Sequence, residues 1–123
     1  MSTPLLTTDA ATRAAVDRFQ DAIDRRDVVA LRDAIAADCV FECPKSSRFV
    51  GQDMVETFGR LFANPGVGPF RTEESFVAGD RAVVRWSLSF GDGGQLRGVD
   101  LFRVRDGAIA ELLSYVKEEG DGE

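Results

Sequence analysis

The closing stretch GVDLFRVRDGAIAELLSYV, residues 98–116, consists of two mostly apolar runs with strand-like spacing on either side of an Asp-Gly pair, with polar side chains interspersed. Alternation with a period of two, interrupted by Asp-Gly, is typical of a β-hairpin. Asp100 is unusual here, because alternation places it on the same strand face as Phe102 and Val104. A carboxylate on such an interior face must be hydrogen-bonded, be neutralised or border a solvated cavity.

The same alternation extends through the second half of the chain. Turn residues separate its segments at Gly79-Asp80, at 91–94 and at Asp106-Gly107. The pattern therefore predicts four strands joined by hairpins, over residues 72–78, 81–90, 95–105 and 108–117.

The first half of the chain instead shows helical spacing of its apolar residues. We predict helices over 9–26, 27–37 and 53–62, with a short strand at 39–43 and one extended piece in the following loop. Helices that precede a meander of strands indicate an α+β domain, with three N-terminal helices packed on one face of a curved antiparallel sheet.

Composition limits the classes of protein that fit this chain. Its 123 residues, 44% of them hydrophobic, predict one domain over 1–123, with residues 1–8 and 118–123 expected to be flexible. A net charge of −6 disfavours nucleic acid and anionic membrane as partners. No leader or membrane-spanning segment is evident, so a cytoplasmic location is expected.

Two cysteines and the absence of histidine restrict the chemistry further. If Cys39 and Cys43 lie on one strand, their Cα atoms are about 13 Å apart, which is too far for a disulfide. Ser-His-Asp and Cys-His systems are excluded, and two cysteines do not make a zinc site. We expect neither a metal nor a cofactor, and any acid/base chemistry must use carboxylates, thiols, Lys or Tyr.

The chain resembles SnoaL-like and ketosteroid-isomerase-like members of the nuclear-transport-factor-2-like superfamily. The resemblance is carried by FQDAIDRRDVVALRDAIAADCVFECP, by VGQDMVETFGRLF and by the closing hairpin GVDLFRVRDGAIAELLSYV. It implies a cone-shaped α+β domain whose sheet wraps the first helix around an apolar pocket, usually as a homodimer. Because chemistry varies widely in this superfamily, the fold alone does not define an activity.

The catalytic sets of similar families are incomplete in this chain. In ketosteroid isomerases a base aspartate, an oxyanion tyrosine and an oxyanion aspartate line the cone. The resemblance places these on Cys43, Phe19 and Asp100, so only the last is retained. Epoxide-hydrolase-like members use two carboxylates that fall here on Ser87 and Ser114, and the last position also tends to be acidic in polyketide cyclases.

Asp100 is the main catalytic candidate, as a hydrogen-bond donor or general acid/base, and Cys43 is a second candidate nucleophile. Each also has a structural interpretation, as a bonded buried acid and as a small buried hydrophobic residue. The side chains expected to face the pocket and contact a ligand are Phe19, Phe41, Cys43, Phe58, Trp86, Phe102, Leu112, Ser114 and Val116.

Two functions remain open at this stage. One is a domain that binds a small apolar molecule, acting on a cyclic ligand through Asp100 as an isomerase, cyclase or hydrolase. The other is a non-catalytic ligand carrier or dimeric interaction module in which Asp100 is structural. In both cases a homodimer is expected, because the final hairpin is apolar on both faces; the outward set is Val99, Leu101, Ile109, Leu113 and Tyr115.

Overall fold

The computed structural model describes residues 8–43 and 47–117. Most of the two ends that were predicted to be flexible, 1–8 and 118–123, therefore lie outside the described residues. Within the described part the chain forms three helices and six strands, which confirms the α+β class.

The first helix, α1, spans Asp9–Asp24. It begins where the side chain of Thr8 accepts a hydrogen bond from the Ala11 backbone N–H, and it buries the apolar stripe that the spacing predicted. It ends two residues earlier than predicted, because Arg26 adopts a left-handed backbone conformation with φ of 52° that a helix cannot continue through.

The second helix, α2, spans only Val28–Ala34, and the prediction that it continues to residue 37 was wrong. Strand β1 begins at once and runs over Ile35–Cys43, four residues earlier than predicted. Ile35 is buried and is paired with Ile109 of a neighbouring strand. Tertiary pairing therefore overrides the local helical spacing at 35–37.

Strand β2 covers Ser47–Val50 and pairs with β1, and helix α3 covers Gln52–Phe62. Gly51 lies between them with φ of 55°, and its N–H donates to the Cys39 carbonyl at 2.9 Å. A side chain at Gly51 would collide with the carbonyl oxygen of Ala37. Glycine is therefore required at this position for two reasons, its backbone angle and the close approach of β1.

The remaining strands form the predicted meander. β4 spans Arg81–Phe90, β5 spans Gln95–Arg105 and β6 spans Ala108–Lys117, with the bounds that alternation gave. β3 spans Val67–Ala78 and so begins five residues before its predicted start. Its pairing with β4 shifts register between Val67 and Phe70 and again between Thr72 and Glu74.

The six strands form one sheet in the order β2-β1-β6-β5-β4-β3. The sheet is mixed, since β1 pairs with β6 in parallel, whereas the other four pairings are antiparallel as predicted. The chain returns from β1 to β6 only after α3 and the whole meander. A parallel neighbour so distant in sequence leaves no local pattern, and for this reason the sequence did not reveal it.

The helices pack on one face of this sheet around an aromatic centre. The ring of Phe19 on α1 lies 5.4 Å from that of Phe102 on β5 and 6.0 Å from that of Phe58 on α3. Hydrogen bonds fix α1 to two hairpin turns: Thr12 Oγ1 donates to the Gly79 carbonyl at 2.6 Å, and Arg18 donates to the Gly107 carbonyl at 2.7 Å. The helix therefore has a defined position across the sheet.

Replacing Gly51 by alanine should destabilise the fold strongly, because the new Cβ meets the β1 backbone at a left-handed position. The matched control is Gly79→Ala, since Gly79 has a similar φ of 62° but open space around its Cα. We expect a loss of about 1 kcal/mol for Gly79→Ala and roughly 3 kcal/mol for Gly51→Ala in urea unfolding. Equal losses would contradict the role given to the Ala37 contact.

Candidate functional site

A small cavity of about 40 Å³ lies between the C-terminal half of α1, helix α3 and strands β3 to β5. Four of its nine lining residues are aromatic, and a carboxylate lies at its β5 wall. The residues that line it are Phe19, Gln20, Ile23, Asp24, Phe58, Phe70, Thr72, Trp86 and Asp100. We call this space the inner cavity.

Asp100 reaches the inner cavity because it lies on the interior face of β5, as strand alternation predicted. The Trp86 indole Nε1–H, on the neighbouring strand β4, donates to Asp100 Oδ1 at 2.9 Å. Ser114 lies directly opposite on β6, and its hydroxyl hydrogen-bonds the same carboxyl group. Two neutral groups from the flanking strands therefore hold the carboxylate in place.

Burial raises the pKa of Asp100 from its ordinary value of 3.8 to about 6, while the hydrogen bonds from Trp86 and Ser114 act in the opposite direction. Desolvation therefore outweighs both donors. A carboxyl group with this pKa exchanges protons near neutral pH, as a general acid or base does.

Gly98 provides the space that lets Trp86 approach Asp100. The two residues are cross-strand partners, and a Cβ on Gly98 would collide with the indole ring and lie 2.7 Å from the Tyr115 carbonyl oxygen. The indole ring therefore lies close to the β5 backbone at Gly98. This glycine, two residues before Asp100, defines the position of the indole donor.

A second cavity of about 210 Å³ adjoins the first, and Ile23, Asp24 and Phe70 line both. We call it the outer cavity; its other lining residues are Arg26, Leu61, Phe62, Val67, Gly68 and Pro69. The Arg26 guanidinium donates to the carbonyls of Phe62, Asn64, Val67 and Gly68. It thus joins the end of α3 to the start of β3 at the rim of this cavity.

The predicted ligand-contacting residues occupy several different environments. Phe19, Phe58 and Trp86 line the inner cavity. Ser114 does not line it, but it hydrogen-bonds Asp100, which does. Phe41, Phe102 and Leu112 are buried in the main core, Cys43 is partly buried against that core, and Val116 packs against the cluster of Trp86 and Leu88. None of these last five lines either cavity.

Both cysteines are free thiols. Burial raises the pKa of Cys39 to about 12, so this thiol stays protonated. Within residues 8–43 and 47–117, no group of three His, Cys, Asp or Glu side chains could hold a metal ion. No helix in this part of the chain has the length and apolar character needed to span a bilayer.

Five lining residues of the inner cavity were not among the predicted site residues: Gln20, Ile23, Asp24, Phe70 and Thr72. Helical spacing offered a signal for the first three, because positions 19, 20, 23 and 24 share one helix face. Phe70 was missed because Gly66, Gly68 and Pro69 predict a turn there. The pairing of β3 with β4 extends the strand through these residues.

The sequence profile of the SnoaL-like domain matches residues 16–112 of this chain. No curated protein matches the sequence. Among solved structures, an NTF2-like protein of unknown function from Mesorhizobium loti is 40% identical, with a TM-score of 0.82 over 89% of this chain and 93% of that one.

Two further solved structures share the fold at lower identity. A candidate ketosteroid isomerase from Kribbella flavida is 24% identical, with a TM-score of 0.84 over 95% of this chain and 85% of its own. A candidate polyketide cyclase from Sinorhizobium meliloti is 27% identical, with a TM-score of 0.72 over 81% of this chain and 92% of its own.

The pKa of Asp100 can be measured from the NMR shift of its side-chain carboxyl carbon. We expect a value of about 6 in the wild type. Trp86→Phe and Ser114→Ala should each raise it further, because each removes a donor that favours the ionised form. A wild-type value at or below about 3.9, that of an unperturbed aspartate, would contradict this assignment.

The same shift predicts how stability depends on pH. The folded-state pKa of Asp100 exceeds the unfolded value, so its ionisation costs stability as pH rises from about 4 to above 6. Asp100→Asn removes this cost. We expect the change in unfolding free energy that the substitution causes to be more favourable at pH 7 than at pH 4, by on the order of 2–3 kcal/mol. Urea unfolding at both pH values tests this, and an equal effect at each would contradict it.

Proposed function

The chain belongs to the SnoaL-like domain family, and we propose that it binds a small ring-bearing apolar molecule in the inner and outer cavities, with Asp100 as the acid/base group. The observation that carries this proposal is the Asp100 carboxyl, largely buried at the wall of an aromatic-lined cavity with a pKa of about 6. A perturbed acid in an apolar cavity is typical of a catalytic site.

Structurally similar proteins support this choice of chemistry. One neighbour is named as a candidate ketosteroid isomerase and another as a candidate polyketide cyclase. Ketosteroid isomerisation begins with removal of a proton next to a carbonyl group by an aspartate base. By analogy, the elementary step proposed for this chain is proton transfer between Asp100 and a carbon or oxygen of the ligand.

The geometry defines the parts that would perform this step. The ionised Asp100 accepts a proton from the ligand and leaves the electron pair on it; the protonated carboxyl then returns a proton to the ligand or to water. Trp86 and Ser114 fix the carboxyl through their hydrogen bonds. Phe19, which replaces the oxyanion tyrosine of ketosteroid isomerases, lines the cavity without a hydroxyl to donate.

A non-catalytic carrier is the second candidate, and the cavity size favours it. The inner cavity holds about 40 Å³ and the outer cavity about 210 Å³. Sites for drug-sized ligands enclose roughly 300–1,000 Å³. A small molecule held mainly in the outer cavity would bind without presenting a reacting atom to Asp100.

Exchange of the α-hydrogens of cyclohexanone in deuterated water distinguishes the two candidates. An enzyme should accelerate the exchange, and Asp100→Asn should slow it by roughly 100-fold or more because it removes the base. The matched control is Glu56→Gln, which removes a carboxylate from the exposed face of α3 and should leave the rate unchanged.

Binding is followed separately by the indole N–H resonance of Trp86, the one tryptophan of the chain. A shift of this resonance without exchange supports the carrier. If cyclohexanone causes no shift of this resonance and its exchange is not accelerated, the catalytic proposal is wrong for ketones.

We also propose that the chain forms a homodimer through the sheet face opposite the helices. On that face Phe76, Val83, Leu101 and Leu113 are successive cross-strand partners on β3 to β6 and form one apolar row. Phe76 is 54% exposed, and nearby Tyr115 is 59% exposed. Exposed aromatic residues in a continuous row are typical of protein interfaces.

Charged pairs border this apolar row on two sides, as expected for an interface rim. Arg85 and Arg97 both contact Glu73, at 2.7 and 3.1 Å, and Arg103 lies 3.8 Å from Glu111.

The prediction that Ile109 belongs to the outward set was wrong. An irregularity between Arg103 and Val104 in the β5–β6 pairing makes Ile109 the partner of Val104, and it is fully buried beneath the helices.

A charge placed in the apolar row should dissociate the dimer. Leu101→Asp and Leu113→Asp should each shift a micromolar dimer towards monomer in sedimentation equilibrium, because the interface would bury an unpaired carboxylate. Val29→Asp is the control, since Val29 is 60% exposed on α2. A monomeric wild type would overturn the dimer, and unchanged dimers in both variants would exclude this face.

A further inference from the structure

We propose that the inner cavity selects a ligand that carries a positively charged amine on an apolar body. This inference rests on the part of the proposed function in which the cavity holds a small molecule, and it favours the carrier candidate, because an ammonium group beside Asp100 would neutralise the carboxylate and lower its pKa.

The lining of the inner cavity contains two carboxylates and no basic side chain. Asp100 comes from β5, and Asp24 comes from the last turn of α1. The other elements around Asp100 contribute neutral groups: Gln20 on α1, Phe58 on α3, Phe70 and Thr72 on β3, Trp86 on β4 and Ser114 on β6. A cation is the ligand charge that this arrangement attracts.

Neither carboxylate has a cationic partner among the residues that the structure describes. Across residues 8–43 and 47–117, no ion pair involves Asp24 or Asp100. The partners of Asp100 are the neutral donors Trp86 and Ser114. Asp24 is exposed to solvent, but Asp100 is largely buried. A buried carboxylate without a counter-ion is costly, and an ammonium group beside Asp100 would offset part of that cost.

Aromatic rings form much of the rest of the wall, and they also favour a cation. The rings of Phe70 and Trp86 meet edge to face at 5.4 Å, and those of Phe19 and Phe58 do so at 6.0 Å. The faces of aromatic rings attract ammonium groups, by roughly 0.5–2 kcal/mol for each contact. The same rings pack equally well against an apolar ring, so they suit both parts of the proposed ligand.

The sizes of the two cavities match the two parts of such a molecule. About 40 Å³ beside Asp100 accommodates a small polar head group, and about 210 Å³ next to it accommodates an apolar body against Leu61, Phe62 and Phe70. The one basic residue of the outer cavity, Arg26, donates to four backbone carbonyls. An anionic ligand would have to compete with these bonds and with both carboxylates.

Three matched probes test the inference: 2-phenylethylamine, 2-phenylethanol and phenylacetate, which share a ring and differ in charge. Each is titrated into the full chain while the Trp86 indole N–H resonance is followed. At about pH 7.5 the amine should bind roughly tenfold or more tightly than the alcohol, and phenylacetate should bind most weakly. A probe order in which the alcohol or the anion binds best would overturn the inference.

The dependence of amine binding on pH gives an independent readout. Only the ionised carboxylate attracts the amine, so affinity should fall roughly tenfold from about pH 7.5 to about pH 5 as Asp100 takes up a proton with its pKa of about 6. A protonated Asp100 that donated to a neutral ligand would give the opposite trend. Amine affinity that is constant or that rises towards pH 5 contradicts the inference.

Variants separate this inference from the proposed function. Asp100→Asn keeps an oxygen acceptor for Trp86 but loses the charge, so it should remove the preference for amine over alcohol, whereas Glu56→Gln should retain it. If the alcohol binds best and Asp100→Asn weakens the binding of the alcohol, the cavity is still a ligand site, but the proposed amine class is wrong. If the amine leaves the Trp86 resonance unchanged at millimolar concentration, the inference is overturned.

Discussion

Contact between Phe19 of α1 and Phe102 of β5 joins the helical layer to the sheet, and the position of the cavity depends on it. The two rings fill the centre of the core, with Phe58 packed against the first of them. Two residues before Phe102 on the same face of β5, the filled core gives way to the inner cavity at Asp100. A single strand face therefore carries both a buried aromatic residue of the core and the candidate reactive group.

Holding a carboxylate at this boundary lowers the stability of the folded state at neutral pH. The protein reduces that loss with neutral donors from both neighbouring strands, and Gly98 gives one of them, the Trp86 indole, room to reach Asp100. A salt bridge would have stabilised the ionised form more, but it would also have lowered the pKa of Asp100 and neutralised its negative charge. The observed donors are neutral, so the carboxyl group keeps its raised pKa at the cost of some stability.

The sequence revealed the parts of this structure that depend on local pattern. Alternation predicted the bounds of β4, β5 and β6 and the inward orientation of Asp100, because side-chain period and turn chemistry act over a few residues. It did not reveal the early start of β1, which depends on pairing with β6, or the contribution of Asp24, which depends on how α1 crosses the sheet. Such features arise from contacts between distant segments.

Strand β3 forms one edge of the sheet, and its irregularity has a consequence for solubility. Unpaired backbone groups along a regular edge strand can recruit the edge of another molecule and start aggregation. Here two register shifts interrupt the pairing of β3, Pro69 removes one donor, and charged Glu73 and Glu74 follow. These features disfavour an open-ended stack of sheets, and they leave the sheet face as the surface for the proposed homodimer, in which a two-fold pairing would close on itself.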